Sequence, residues 1–485
     1  MSDGERRVLV GPFNRVEGDL EVSLHIADGR VAAAYVNSPL YRGFEQILVG
    51  KDPRDALVIA PRICGICSVS QSMAAAYALA DAQRLAMPRN GELATNLVLA
   101  AENVADHFSH FYLFFMPDFA REAYAAEPWY APVAQRFRAL TGTAAREVLA
   151  ARAGLLHLMG LLAGKWPHTL GLQPGGSTRS VAPQERQRLA LQLGGFRRFL
   201  EQVTFGDSLE TVVALDSGDA LGAWAAAAAP FSSDLRAFLA VADALDLEQL
   251  GRAGDRFMSY GSYPSAGRRL FAAGVWDGGP QALDTAAISE DLASSWMQGD
   301  DARHPSRGVT LPAPDKAGAY SWCKAPRLDG QVVEVGALAR QVVDGHPLAR
   351  TLVAGSGGNV RNRVVARLLE IARVVLMMQE WVAALRPGEP FCNVAALPDE
   401  AEGVGLVEAA RGSLGHWLSI RGGRIHNYQI VAPTTWNFSP RDADGTPGAL
   451  ELALQGTPLR AGERTPLAAE HIVRSFDPCM VCTVH

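Results

Sequence analysis

Arg62-Ile63-Cys64-Gly65-Ile66-Cys67 and Asp477-Pro478-Cys479-Met480-Val481-Cys482-Thr483-Val484-His485 are the two stretches on which the reading of this chain turns. Each holds a Cys-x-x-Cys pair, a spacing that lets two sulfurs converge on one metal from a single turn. Gly65, inside the first pair, permits close backbone approach. The pairs lie at opposite ends of the sequence, so they serve one centre only if the fold closes both ends around it. The expectation is a buried metal site with soft ligands, in one interlocked unit over residues 1–485. On the cysteines alone, a structural zinc site or an iron–sulfur cluster stays open, although paired zinc ligands commonly lie about 15–20 residues apart.

The 485 residues are 48% hydrophobic, enough for an extensive core and too apolar for a disordered chain. A net charge of −6, with no basic stripe, gives no footing for nucleic acid or an anionic membrane. The opening MSDGERRVLVGPF lacks a basic segment followed by an apolar run. The longest apolar stretches, such as Ala153 to Gly164, are too short to span a bilayer. A cytoplasmic protein without direct membrane insertion is expected. Six cysteines in such a chain argue against a disulfide framework, and the isolated Cys323 and Cys392 read as buried thiols.

Alternation over residues 6–36 predicts two or three strands, with Asp28-Gly29 as a hairpin turn. From Pro53 the pattern turns helical, with long buried helices at Ile66 to Leu85, Gly91 to Phe115, Ala144 to Leu162 and Pro183 to Val203. A further helix is expected in the Ala-rich 220–229, another long one at Asn359 to Ala384, and a hairpin turning at Gly422-Gly423. The fold class is therefore α+β, mainly α: a central bundle of long helices with small peripheral β lobes. Residues 6–50 are β-rich, 53–250 mainly helical and 257–345 loops and short strands; a helix, a β-rich segment and the metal-binding tail fill 359–485.

Other motifs stand between the cysteine pairs. They are Asn14-Arg15-Val16-Glu17-Gly18, Leu40-Tyr41-Arg42-Gly43-Phe44-Glu45, Gly164-Lys165-Trp166-Pro167-His168, Pro174-Gly175-Gly176, Lys324-Ala325-Pro326-Arg327, Glu408-Ala409-Ala410-Arg411-Gly412 and Pro433-Thr434-Thr435-Trp436-Asn437. In this order, from residue 11 to the last, the chain resembles the large subunit of nickel-iron hydrogenases. The resemblance implies that Cys64, Cys67, Cys479 and Cys482 bind nickel, with Cys67 and Cys482 also bridging to an iron that carries cyanide and carbon monoxide. Soft, polarisable sulfur suits nickel redox chemistry.

The implied reaction is heterolytic cleavage of hydrogen, with the proton taken by Glu17. Arg411 matches an arginine lying over the metals; its guanidinium stays charged and so serves electrostatic positioning. Asp118 and Asp477 are expected to complete that polar canopy. Glu45 and His485 match ligands of a magnesium ion, although histidine is an unusual ligand for so hard a cation. Outside the resemblance, Glu17 reads as an ordinary cap or ion-pair carboxylate, the two aspartates as caps, and Glu45 as a surface charge.

Three departures from the family pattern bear on function. Gln71 stands at the fourth position after Cys67, where the family usually has histidine; it keeps hydrogen bonding but loses a titratable imidazole. Ala410 replaces a proline, which should loosen the backbone beside Arg411. The sequence stops at His485, where most members are made with an extension that is later removed. Gln71 and the missing extension resemble the regulatory, hydrogen-sensing branch. Ile66 and Phe114 stand where ordinary enzymes carry smaller Val and Leu, and bulk there would narrow a gas channel; plain core packing explains them equally.

With no cysteines left for electron-transfer clusters, electrons must leave through an iron–sulfur small subunit. A dimer of such heterodimers, signalling to a histidine kinase, is the expected assembly. An energy-conserving uptake hydrogenase and a non-catalytic four-cysteine protein are the competing functions; Glu17 and Arg411 speak against the second, because a metal knot needs neither.

Overall fold

The computed structural model describes residues 6–460, 463 and 466–485. The opening Met1 to Glu5, read above for a leader, lies outside them. Arg6–Val10 (β1), Glu21–Ala27 (β2) and Arg30–Asn37 (β3) form an antiparallel sheet in that order. Val22, Leu24 and Ile26 on β2 point inward with the period of two that a half-buried strand requires. Asp28 and Gly29 both take positive φ, the geometry of the tight turn expected there.

The long helices are Ser68–Gln83 (α1), Arg89–Ser109 (α2), Thr143–Leu162 (α3), Pro183–Phe199 (α4) and Val360–Ala384 (α5). Of these, α1, α2 and α5 are buried on most faces, whereas α3 and α4, expected to be buried, bury a single face. Two of the predicted spans ran further because their apolar pattern does. Past Ser109 and Phe199 the chain widens into π-helical turns, His110–Phe115 and Leu200–Phe205, which keep an apolar face inward. The Ala-rich segment is helical over Gly218–Ala226.

Ala401–Ala409 (β4), Gly412–Arg421 (β5) and Arg424–Val431 (β6) make a second antiparallel sheet, with Gly422 and Gly423 in positive φ at its hairpin. α1 lies directly on β4, and glycine allows the approach. A Cβ on Gly405 would stand 1.9 Å from the Ala74 carbonyl oxygen, and one on Gly403 2.0 Å from that of Ala78. Helix backbone and strand backbone touch without side chains between them.

The region 257–345 does contain loops and short strands, but Ala337–Asp344 is helical. Gly336 and Gly345 bracket it, and Leu338 and Val342 bury its apolar face. Cys323 is fully buried as expected; Cys392 is not, being partly exposed on its loop. Among the described residues no helix is long and apolar enough to cross a membrane. The tail closes back on the first sheet: Val31 donates to the Thr457 carbonyl and Val36 to the Glu451 carboxylate, at 3.0 and 2.9 Å.

Candidate metal centre

Cys64 and Cys67 sit on the turn that leads into α1, and Cys479 and Cys482 on the closing turn of the chain. All four are buried and free of disulfides, and their sulfurs lie within 4.8 Å of one another. The shortest separations are 2.9 Å between Cys67 and Cys482 and 3.2 Å between Cys479 and Cys482. Hydrogen bonds from its three neighbours hold Cys64 well below the ordinary thiol range, while burial pushes Cys482 up. Four sulfurs this close cannot all carry charge without a cation among them. The donor set therefore fits a thiophilic transition metal.

Several motifs hold the two turns together. Arg42 donates to the carbonyls of both Ile63 and Val481, one on each cysteine turn. Thr434 Oγ1 accepts from the Cys479 amide at 3.2 Å, and Thr435 Oγ1 donates to the Thr483 carbonyl at 3.1 Å. Sequence reasoning placed Arg42 and Thr434 within motifs but gave them no task.

Glu17 runs beside the second turn and is half buried. Its carboxyl is raised by burial first and by Cys64 next, against the opposing pull of Arg411 and Arg42. A carboxyl so raised beside the sulfurs is not an ordinary solvated carboxylate.

Arg411 is buried at the two-residue turn between β4 and β5. Its Nε donates to the Asp477 carbonyl at 2.8 Å and its Nη2 to Asp477 Oδ1 at 3.1 Å. Asp106 on α2 takes both terminal nitrogens. Burial pushes the Asp106 carboxyl up to about 7 despite Arg411. Asp477 moves the other way: burial would raise it, but Arg411, His110 and Arg367 override that. The loosening expected from Ala410 is countered by Arg340, which donates to the carbonyls of Ala409 and Ala410, each at 2.8 Å.

Asp118 is not part of this canopy. Its partners are Arg15, His471 and Arg474, with Arg121 alongside, and they hold it below the usual carboxylate range although burial opposes them. Arg474 also donates to Asn14. Asp118 thus ties the Asn14-Arg15 segment to the final helix, Leu467–Ser475. The canopy carboxylate that sequence reasoning missed is Asp106. Its signal was a stripe of carboxylates at helical spacing, Glu102 and Asp106, in a helix buried on nearly every face.

Gln71 faces His416: Oε1 lies 2.8 Å from Nε2, and the other ring nitrogen lies 2.7 Å from the Tyr428 hydroxyl. Burial drives His416 well below its ordinary value, so the imidazole is neutral, donates to Gln71 and accepts from Tyr428. Ile66 packs against the main core, partly buried. Phe114 is also partly buried, between the inward Phe111 and Phe115.

Glu45 and His485 meet at one small cavity of about 10 Å³, which Glu290 and Lys324 also line. Glu45 accepts from the Ile430 amide and His485 Nε2 donates to the Ile430 carbonyl, both at 2.8 Å. Lys324 donates to Glu290 at 3.2 Å and lies 3.9 Å from Glu45. One ammonium faces two carboxylates, and Glu290 Oε1 and His485 Nδ1 are buried without partners. The oxygens are of the kind a hard cation takes, but the Lys324 ammonium stands between the carboxylates here.

Four buried sulfurs placed to share one metal, flanked by a raised carboxyl and a buried arginine, define a metal-binding centre. The family model for nickel-dependent hydrogenase matches residues 42–136 and 143–485. This chain belongs to that family and is a hydrogenase large subunit. It is 29% identical to the periplasmic NiFeSe hydrogenase large subunit of Desulfomicrobium baculatum, over 100% of this chain and 96% of that one. It is 27% identical to the uptake hydrogenase large subunit of Cupriavidus necator, over 100% and 96%. The fold superposes on the Ni-Fe-Se hydrogenase of D. vulgaris Hildenborough in its reduced state with a TM-score of 0.84, at 30% identity over 99% and 100% of the two chains.

Proposed function

We propose that this chain is the large subunit of a regulatory nickel-iron hydrogenase, which splits hydrogen slowly and reports its availability. The observation that carries the sensing role is the Gln71–His416–Tyr428 chain beside α1. It puts a non-titrating amide where the family pattern has an imidazole, and keeps the His416 imidazole neutral. Proton traffic on this side of the centre is thereby restricted, which suits slow turnover.

Cys64, Cys67, Cys479 and Cys482 would hold nickel, and Cys67 and Cys482 also an iron with cyanide and carbon monoxide; when bound, that group supplies the heterolysis of hydrogen. The chain's part is to move the proton and fix charge. Glu17, raised by burial and by Cys64, takes the proton. Arg411, held by Asp106 and Asp477, presents a fixed positive charge in a water-poor site. Glu45 and His485, with Glu290 and the Ile430 carbonyl at the same cavity, would hold magnesium. An iron–sulfur small subunit carries the electrons away, a dimer of heterodimers forms, and a histidine kinase receives the signal in the cytoplasm.

An uptake enzyme is the second reading, favoured by a relative named as such. Infrared spectra of the purified complex, under hydrogen and after air, separate the two. Cyanide and carbonyl bands that stay unchanged in air are expected. Bands that shift in air to further, inactive oxidised states would make this an uptake enzyme.

A further inference from the structure

α1 begins immediately after Cys67, which places that cysteine at the N-cap. An oxygen-bearing side chain there would accept from the first amides of the helix, which have no partners within it. Cys67 makes no such bond, because its sulfur is turned to the cluster. The acceptor comes instead from another helix. Glu102 of α2 accepts from the Val69 amide at 2.8 Å through Oε2 and from the Ser70 amide at 2.9 Å through Oε1. Ser70 Oγ and Trp166 Nε1 approach the same carboxyl at 3.0 Å each, and Ser68 Oγ at 3.4 Å.

Glu102 is buried, with no arginine or lysine among these contacts. Burial pushes its carboxyl up to about 8. The arrangement serves either protonation state, since the serine hydroxyls accept as well as donate.

The Gly164-Lys165-Trp166-Pro167-His168 motif, which the chemistry above leaves without a task, completes the grip. His168 Nδ1 donates to the Pro61 carbonyl at 3.0 Å, ahead of the first cysteine, and its amide donates to Ser68 Oγ at 3.2 Å, behind the second. A Cβ on Gly65 would lie 4.0 Å from the Pro167 ring. The turn carrying Cys64 and Cys67 is thus held from both sides.

We propose that Glu102 is a positioning residue for Cys67: it caps α1 from outside, freeing the N-cap cysteine for the metal and fixing the place of its sulfur. The test uses the purified holo-complex. Glu102→Ala should lower nickel per chain by about 10-fold or more, as loss of an outer partner commonly does. Glu102→Gln sets an amide NH2 against N–H donors, so it should alter the nickel–sulfur signal in X-ray absorption even where nickel is retained. Leu189→Ala, a core truncation on α4 matched for loss of Tm, should change neither readout. An unaltered absorption spectrum in Glu102→Gln overturns the proposal whatever the alanine variant does. The same spectral change in Leu189→Ala also overturns it, because the effect would then be one of stability alone.

Discussion

The backbones of Glu17 and Cys479 run side by side in parallel, with the Glu17 carbonyl accepting from the Met480 amide at 2.7 Å. Gly18 makes this possible: its φ is +80°, and a Cβ there would stand 3.0 Å from the Val481 amide nitrogen. Glu17 and the second cysteine turn are therefore one piece of structure, although they lie at opposite ends of the sequence. Main-chain bonds thus fix the Glu17 backbone against the turn that carries Cys479 and Cys482.

It follows that Glu17→Gln should leave the turn and its metal in place while removing the titrating group. Hydrogen–deuterium exchange should fall by about 100-fold or more, with nickel content unchanged. Exchange near the unmodified rate would remove Glu17 from the proton path.

Asp106→Asn tests the corrected canopy. The variant keeps the shape but withdraws one of the two charges that face the buried Arg411. Activity should drop about 10-fold or more with nickel retained, and stability should fall by a few kcal/mol, about 3, because a buried cation loses a partner. Asp118→Asn should behave differently. It loosens the join between the Asn14-Arg15 segment and the Leu467–Ser475 helix, so thermal stability should fall before the activity of the folded enzyme does.

The contrast between these two aspartates shows what the sequence could convey. The cysteine spacings announced the site, and the length of the apolar helical runs over α1 to α5 announced the bundle, because both are local patterns. Asp118 stood near the right place in the chain, yet which arginine it meets depends on how the last helix returns against the first loop. Nothing local in residues 116–120 encodes that. Asp106 was legible in principle, since polar residues spaced along one buried helix face must find partners. Glu102 belonged to the same stripe; its partner, the start of α1, is a backbone feature that no side-chain pattern reveals.

Gly405→Ala should test how closely α1 is seated. The added Cβ would enter the space of the Ala74 carbonyl oxygen, a backbone atom that cannot rotate away. Helix and strand must separate, at a cost of about 3 kcal/mol. The Gln71–His416 contact spans the same pair of elements, helix and sheet, so it should lengthen as well. Denaturant midpoints and a crystal structure of the variant check both effects; an unchanged midpoint would mean that the helix is not seated this tightly.

Acid should reveal the charge network behind Arg411. Arg340 is buried between Glu370, at 2.8 Å, and Glu408, at 2.7 Å, and it is this arginine that holds the Ala409 and Ala410 carbonyls. Burial alone would raise the Glu370 carboxyl, but Arg340 and His107 bring it from 4.5 down to about 2. Its folded value is below its unfolded one, so its stabilisation is complete above about pH 4.5 and is lost as pH falls through about 2. The contribution is on the order of 3 kcal/mol. Glu408 is raised by burial and contributes with the opposite sign, so the acid-labile part belongs to Glu370. Many other carboxylates titrate in this window, which makes the comparison with Glu370→Gln necessary. Denaturant midpoints of the two proteins should differ most above pH 5 and converge only towards pH 2. A difference that stays constant across that range would show that Glu370 gains nothing from ionisation, and would leave the Ala410 turn without its electrostatic anchor.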